Sequence, residues 1–339
     1  MSHNVVPIEG SATPRILLSV APPEREAFFP ADTLRALSSA GEVTTIDPSD
    51  VLASGDLESI GIAVVAWGFP RLDEHLLARM PHLRLVVNAA SSVRSLISDA
   101  FWASGIPVSQ SGAAMAPAVA EMSLTLTLAL LRRTHRMDHV LRTGGTWEQA
   151  RAFDRARELS GSRIGVIGAS RTGREYIRMC RALGADVLVF DPYLSGSDPL
   201  AELAAGLDDV LAHSDIVALH APATAETTGM IGRRELALLP DGSGLVNTAR
   251  SSLVDMNALY DEASAGRLDA ALDVFDEEPL PVAARWRALP NVLLTAHVSG
   301  ATRQSRARAG QIVVDEIGRF LSGRELRHRV TRDALERMG

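Results

Sequence analysis

Residues 163–191 read RIGVIGASRTGREYIRMCRALGADVLVFD. A short apolar run leads into a glycine-bearing turn, a stretch with apolar residues at helical spacing follows and stops at Gly184, and a second apolar run ends in Asp191. The pattern predicts strand, turn, helix and strand, the βαβ arrangement that binds dinucleotides. In the fingerprint G-x-G-x-x-G the glycines let backbone approach a pyrophosphate. Here the order is Gly168, Ala169, Ser170, Arg171, Thr172, Gly173, with serine in place of the middle glycine. If that position requires left-handed backbone, the serine Cβ costs about 1 kcal/mol, and about 1.4 kcal/mol is one decade of affinity. Such a loss weakens a cofactor site without abolishing it, and the hydroxyl can return a hydrogen bond to a phosphate oxygen. Asp191 stands about 20 residues after the turn, where a carboxylate accepts from the adenine ribose hydroxyls and repels a 2′-phosphate, so NAD is favoured over NADP. The competing reading is a plain strand-to-helix loop whose glycines serve packing. A third reading, an α/β hydrolase with a nucleophile elbow on Ser170, fits poorly, because G-x-S-x-G is one residue shorter than GASRTG.

Working outward, short apolar runs alternate with helical patterns, the signature of an α/β chain with parallel sheets. Candidate strands before the turn are RILLSV (15–20), EVTTID (42–47), IAVVAW (62–67) and LRLVVNA (83–89). The helical pattern DTLRALSSAG lies among them, with Asp32 as its expected N-cap and Gly41 as its stop. A second series runs RIGVIG, DVLVFD, DIVALH, GLVNTA, AALDVF and NVLLTAH. The segment 144–161, GGTWEQARAFDRARELSG, is the expected connector between the two series.

The 339 residues predict about two domains of roughly 150 residues each. With 46% hydrophobic and 22% charged residues the chain can bury a sizeable core. Its net charge of −7 argues against a nucleic-acid partner, which needs an excess of Lys and Arg on one face. The single Cys180 excludes an intramolecular disulfide and suits a reducing compartment, and MSHNVVPIEG has neither the basic nor the apolar region of a signal peptide, so a cytoplasmic protein is expected. Residues 113–131 are apolar but include Pro117, Glu121, Ser123, Thr125 and Thr127, which predicts a buried helix rather than a membrane span.

The strings IGVIGASRTG with FDPY, SDIVALHAPATAETTGMI, GLVNTAR with LVD, LDVFDEEPLP and PNVLLTAHVSGAT occur in one order over residues 84–302. Through them the chain resembles the D-isomer-specific 2-hydroxyacid dehydrogenase family; residues 1–80 match only in pattern. The resemblance implies two Rossmann-like or flavodoxin-like domains with parallel sheets. The NAD-binding domain (117–302) is inserted into a discontinuous substrate domain (1–116 and 303–339), the active site lies in the cleft between them, and two chains pair through the cofactor domain.

It also implies roles. Arg250 corresponds to the arginine that holds the substrate carboxylate and polarises the keto oxygen, a task suited to a planar guanidinium. His297 corresponds to the general acid and base, and Glu278 to the carboxylate that favours its charged form and fixes which ring nitrogen faces the substrate. Asp273 corresponds to the aspartate that bonds the nicotinamide carboxamide. Thr248 and Ala249 fall at the nicotinamide end, Arg171 and Thr172 at the pyrophosphate, and Pro222 beside the adenosine; Gly300 is a further cofactor-binding candidate. No metal site is implied.

Departures bear on the substrate. The family's glycine-rich loop, close to A-G-V-G-V, here reads Ala89, Ala90, Ser91, Ser92, Val93, and side chains at both former glycine positions are expected to alter its shape or its donors. Ala90, Ser91 and Ser92 are the candidate substrate contacts of that loop. Asn88 stands where phosphoglycerate-type relatives carry arginine, which speaks against that substrate. Trp67 and Phe69 are expected to flank the site and favour a bulkier or less polar acid, and TAH replaces the usual TPH. The expected activity is NAD-dependent interconversion of a 2-keto acid and a D-2-hydroxy acid. The other reading is a non-catalytic NAD-sensing protein of the same fold, resembling the family's transcriptional corepressors.

Overall fold

The computed structural model describes residues 13–151 and 156–336; the N-terminal stretch weighed above as a signal peptide lies outside them. Among the described residues, twelve strands form two six-stranded sheets. In chain order they are β1 (Arg15–Ser19), β2 (Glu42–Thr45), β3 (Ile60–Val65), β4 (Leu85–Asn88), β5 (Val108–Gln110), β6 (Arg163–Ile167), β7 (Asp186–Phe190), β8 (Ile216–Leu219), β9 (Gly244–Asn247), β10 (Asp269–Leu272), β11 (Val292–Leu294) and β12 (Arg329–Val330). The sheet orders are β12-β5-β4-β3-β1-β2 and β11-β10-β9-β8-β6-β7, so the first five strands of each series occupy the same places. All pairs are parallel except β12 with β5. The central strands are buried along their length because helices cover both faces, which is why they read as continuous apolar runs.

The chain divides into two compact units, Met1–Met115 with Ala301–Gly339, and Ala116–Gly300. The crossings fall inside the helix Gly112–Arg132 and just before the helix Arg303–Leu321. The segment 144–161, read above as a connector, therefore belongs to the second unit and carries the short helix Trp147–Ala150.

In the first unit, Ile16, Leu18, Ile62, Val64, Leu85 and Val87 pack on one face of the sheet with Ala309, Val313 and Ile317 of the helix Arg303–Leu321. The opposite strand faces, Leu17, Ala63, Val65 and Val86, pack with Leu72, Leu76 and Phe101. Phe69 belongs to this core, so of the two aromatics only Trp67, 47% exposed, remains available at the surface. Asp32 is not an N-cap. The helix runs Ala31–Ala40 from Pro30, and Asp32 lies in its first turn, paired with Arg35.

In the second unit, the helix Arg171–Ala182 lays Tyr176, Ile177 and Cys180 on β6 and β7, and Gly184 at φ 84° ends its turn. The helix Gly112–Arg132 is long and apolar enough to cross a membrane by length and composition, but 56% of its most apolar window is buried, with Ala120, Leu126, Leu130 and Leu131 in the core.

Candidate active site

The turn after β6 answers the question raised by its missing glycine. Gly168 has φ 97°, and a Cβ there would stand 2.5 Å from the backbone nitrogen of Ala221. A Cβ on Gly173 would overlap the carbonyl oxygen of Gly168. Both glycines are therefore fixed by close packing. Ser170 has φ −81° and ψ −151°, is exposed, and caps nothing with its side chain. The left-handed backbone considered above does not occur, so the associated strain is absent. The first N–H groups of the helix Arg171–Ala182 point out of the turn uncapped, as an anion site at a helix N-terminus requires. Arg171 is exposed there and Thr172 half-buried.

Asp191 follows β7 directly and is half-buried. Its Oδ2 accepts from Ala169 N at 2.7 Å and its Oδ1 from Tyr193 N at 2.9 Å, leaving each oxygen one lone pair for further donors. Pro222 lies half-buried beyond β8, its carbonyl taken by the Thr227 hydroxyl. Uncapped helix, close-packed glycines and a terminal carboxylate fit a dinucleotide with hydroxylated ribose.

Glu278 and His297 meet: His297 Nδ1 lies 2.6 Å from Glu278 Oε2, with side chains 46% and 35% exposed. An ionised carboxylate only accepts, so Nδ1 carries the hydrogen and Nε2 is left for the substrate. Glu278 is itself aimed by Phe275 N, which donates to Oε1 at 2.9 Å. His297 has φ 52°, a left-handed conformation that costs a non-glycine residue free energy.

Asp273 holds that loop. It is fully buried; Oδ1 accepts from Thr295 Oγ1 (2.5 Å) and Val298 N (3.0 Å), and Oδ2 from Ser299 N (3.0 Å) and Ser299 Oγ (2.6 Å). Four donors occupy its lone pairs, so Asp273 presents no free oxygen to a carboxamide, contrary to the expectation above. Thr295 and Ser299 were not singled out from the sequence; nothing in TAHVSG announces that their hydroxyls face a strand-end aspartate. Gly300 closes the same loop.

Arg250 follows β9 half-buried. Its Nη1 donates to Ala249 O at 2.6 Å, and it makes no hydrogen bond or ion pair with Glu278 or His297. Thr248 is 7% exposed and its hydroxyl is tied to Ser123 at 2.7 Å, so it contributes backbone rather than side chain at the surface. Among the described residues no cluster of metal-ligating side chains occurs.

In the first unit the loop after β4 is likewise shaped by an asparagine that sequence reasoning treated only as a missing arginine. Asn88, 3% exposed, accepts from Ala90 N at 3.1 Å and donates to Ser92 O at 2.7 Å. Ala90 is buried with its N–H committed, so it offers a ligand nothing; Ser91 and Ser92 are half-buried.

Residues 124–299 match the family model of the D-isomer specific 2-hydroxyacid dehydrogenase NAD binding domain. The chain is 31% identical over 277 residues to the D-3-phosphoglycerate dehydrogenase of Archaeoglobus fulgidus, covering 81% of this chain and 52% of that protein. It therefore spans about half the length of such relatives. To the glyoxylate reductase of Aeropyrum pernix it is 32% identical over 274 residues, covering 78% of this chain and 82% of that one. A phosphoglycerate oxidoreductase from Rhizobium etli has a similar structure, with a TM-score of 0.75 at 29% identity over 94% of this chain and 99% of that one. Sequence, sheet topology and the dinucleotide turn agree: the chain belongs to the D-isomer-specific 2-hydroxyacid dehydrogenase family, with NAD as its cofactor.

Proposed function

We propose that the protein is an NAD-dependent dehydrogenase interconverting a small 2-keto acid and a D-2-hydroxy acid. The observation that carries this reading is the His297–Glu278 pair at 2.6 Å. Bound NADH supplies hydride to the keto carbon. His297 Nε2 gives its proton to the keto oxygen, and in the reverse direction takes it back. Glu278 keeps the ring oriented and stabilises it when charged. Arg250 holds the substrate carboxylate through its planar guanidinium. The uncapped helix at Arg171–Gly173 takes the pyrophosphate, and Asp191 takes the ribose and disfavours NADPH.

Names such as glyoxylate reductase and hydroxypyruvate reductase among the relatives support a short 2-keto acid. The neutral Asn88, already spent on its own loop, supports an unphosphorylated one. We further propose a homodimer in the cytoplasm. Supporting this, the helix Thr134–Arg142 buries none of its residues, and Leu141 and Trp147 leave two large apolar side chains 48% and 63% exposed on and beside it. The lone buried thiol suits a reducing compartment.

The test is NADH oxidation against a panel of 2-keto acids. Turnover with at least one is expected; NADH binding without turnover of any overturns the catalytic reading in favour of a sensor. His297→Gln is expected to lose about 10²- to 10⁴-fold in kcat while the NADH dissociation constant stays within a few-fold. A variant that keeps most of its kcat removes His297 from proton transfer.

A further inference from the structure

The carboxylate that partners His297 sits on an exposed stretch of chain. Asp276, Glu277, Glu278 and Pro279 are all exposed, and Leu280 and Pro281 after them are half-buried. On the N-terminal side the buried Phe275 fixes the stretch, its N–H holding Glu278 Oε1. On the C-terminal side the hold comes from Arg287. Its Nε donates to Pro281 O at 3.0 Å and its Nη2 to Leu280 O at 3.2 Å, so one planar guanidinium spans two consecutive carbonyls. Among the described residues, the only other group bonded to the main chain of 276–281 is Ala284 N, on Pro281 O at 3.0 Å.

Arg287 is exposed, and a long exposed side chain loses rotamer freedom when it is held in one geometry. Its base, however, is fixed. Arg287 belongs to the short helical turn Arg285–Ala288, which the two residues before it seat on the helix Met256–Ser264. Trp286 is 7% exposed and meets Tyr260 edge-on, with ring centroids 5.3 Å apart. The Arg285 guanidinium lies 4.1 Å from the Tyr260 centroid and donates to Asn257 Oδ1. From that seat Arg287 reaches back to the carbonyls that follow Glu278 and Pro279.

Resting on the dehydrogenase reading above, we propose that Arg287 is a positioning residue for proton transfer: by clamping the carbonyls of Leu280 and Pro281 it holds Glu278 at His297 Nδ1, and so keeps Nε2 as the nitrogen that serves the substrate. The requirement is for a fork rather than a charge. Lysine keeps the charge but carries its donors on one atom, so it cannot meet both carbonyls in parallel. Methionine keeps the apolar stem and neither bond.

The first test needs no turnover. In the cofactor-free, full-length protein at alkaline pH, imidazole nitrogen NMR distinguishes a ring protonated at Nδ1 from one protonated at Nε2, and the His297 signal is the one lost in His297→Gln. Wild-type His297 is expected to carry its proton on Nδ1, Arg287→Met to shift it toward a mixture of the two forms, and Arg287→Lys to lie between. The second test uses NADH and the best 2-keto acid. Arg287→Met is expected to lower kcat about tenfold while the NADH dissociation constant stays within about twofold. In a Glu278→Gln background the same change should cost less than about twofold, because the group it positions is already altered. Arg287→Lys also supplies the result should the methionine variant fold poorly. An unchanged tautomer in Arg287→Met, or an equal loss of kcat in both backgrounds, overturns the clamp. A lysine variant that matches wild type while methionine does not assigns the effect to charge and overturns it too. Wild-type protein that turns over no keto acid overturns the dehydrogenase reading, and the tautomer then decides the clamp by itself.

Discussion

Ser170 adopts an ordinary extended conformation at the mouth of the dinucleotide turn, while Gly168 and Gly173 are each pinned against neighbouring backbone. Ser170→Gly is therefore expected to change NADH affinity by less than about threefold, well short of the decade that backbone strain would allow. Gly168→Ala combines positive φ with a clash against Ala221 and is expected to weaken NADH by about 100-fold or to abolish folding. Fluorescence titration measures both, and a tenfold gain for Ser170→Gly would show that its side chain obstructs the phosphate. The same scale explains His297. Its left-handed backbone lies one residue before Val298, whose N–H joins Thr295 and Ser299 on the Asp273 carboxylate, and those four bonds offset the strain. The pairing of His297 with Glu278 was legible because both stand in strings characteristic of the family. The use of Asp273 was not, because its partners lie 22 to 26 positions away and only the folded loop brings them to one carboxylate.

The element that joins the turn to the sheet is the helix Arg171–Ala182, and beneath it lies a small polar cluster. Tyr176 donates or accepts with Thr127 at 2.6 Å, and its ring centroid is 4.9 Å from that of His220, at the end of β8. His220 Nε2 is buried with no hydrogen-bond partner, and burial pushes its pKa from 6.5 down to about 3. The unfolded chain then binds the extra proton below pH 6.5 and the folded chain does not until about pH 3. Stability is fully present above pH 6.5 and falls as pH drops through that window, by about 2 kcal/mol at pH 5. Urea unfolding from pH 7.5 to 4.5 is expected to show this decline, and His220→Leu to flatten it; an unchanged slope in the variant assigns the acid sensitivity elsewhere. At this scale the sequence was most readable where apolar runs were long. Each predicted strand exists, but β5 (Val108–Gln110) has two polar residues in three and β12 has only two residues, so neither has enough length to show a period. The Asp32 cap failed because Pro30 takes the N-cap position and the helix starts two residues earlier than expected.

At the scale of the whole molecule, two sheets with matching strand order are joined by two chain crossings, and the second unit carries the dinucleotide turn, Arg250 and the His297–Glu278 pair together. Asn88 and Asn247, at the ends of β4 and β9, each accept from the N–H two residues on and donate to a carbonyl further along; these bonds were hidden in the sequence because an asparagine at a strand end has no periodic signature, and only equivalent sheet positions reveal them as one device used twice. The chain's single thiol also lies in the second unit. Cys180 is fully buried beneath the helix Arg171–Ala182, and burial pushes its pKa up to about 11. At pH 8 only about a thousandth of it is thiolate, and none of that meets solvent while the helix is docked. Alkylation with iodoacetamide thus becomes a clock for the opening of one unit, without background from any other cysteine. Labelling is expected to be far slower than that of a free thiol, and NADH at about 100 times its dissociation constant to slow it by up to a further 100-fold if cofactor must leave before the helix lifts. Labelling indifferent to NADH would show that Cys180 is reached by a motion that leaves the cofactor turn intact. A residue with no part in the chemistry would in that way report cofactor affinity in a protein whose substrate need not be known.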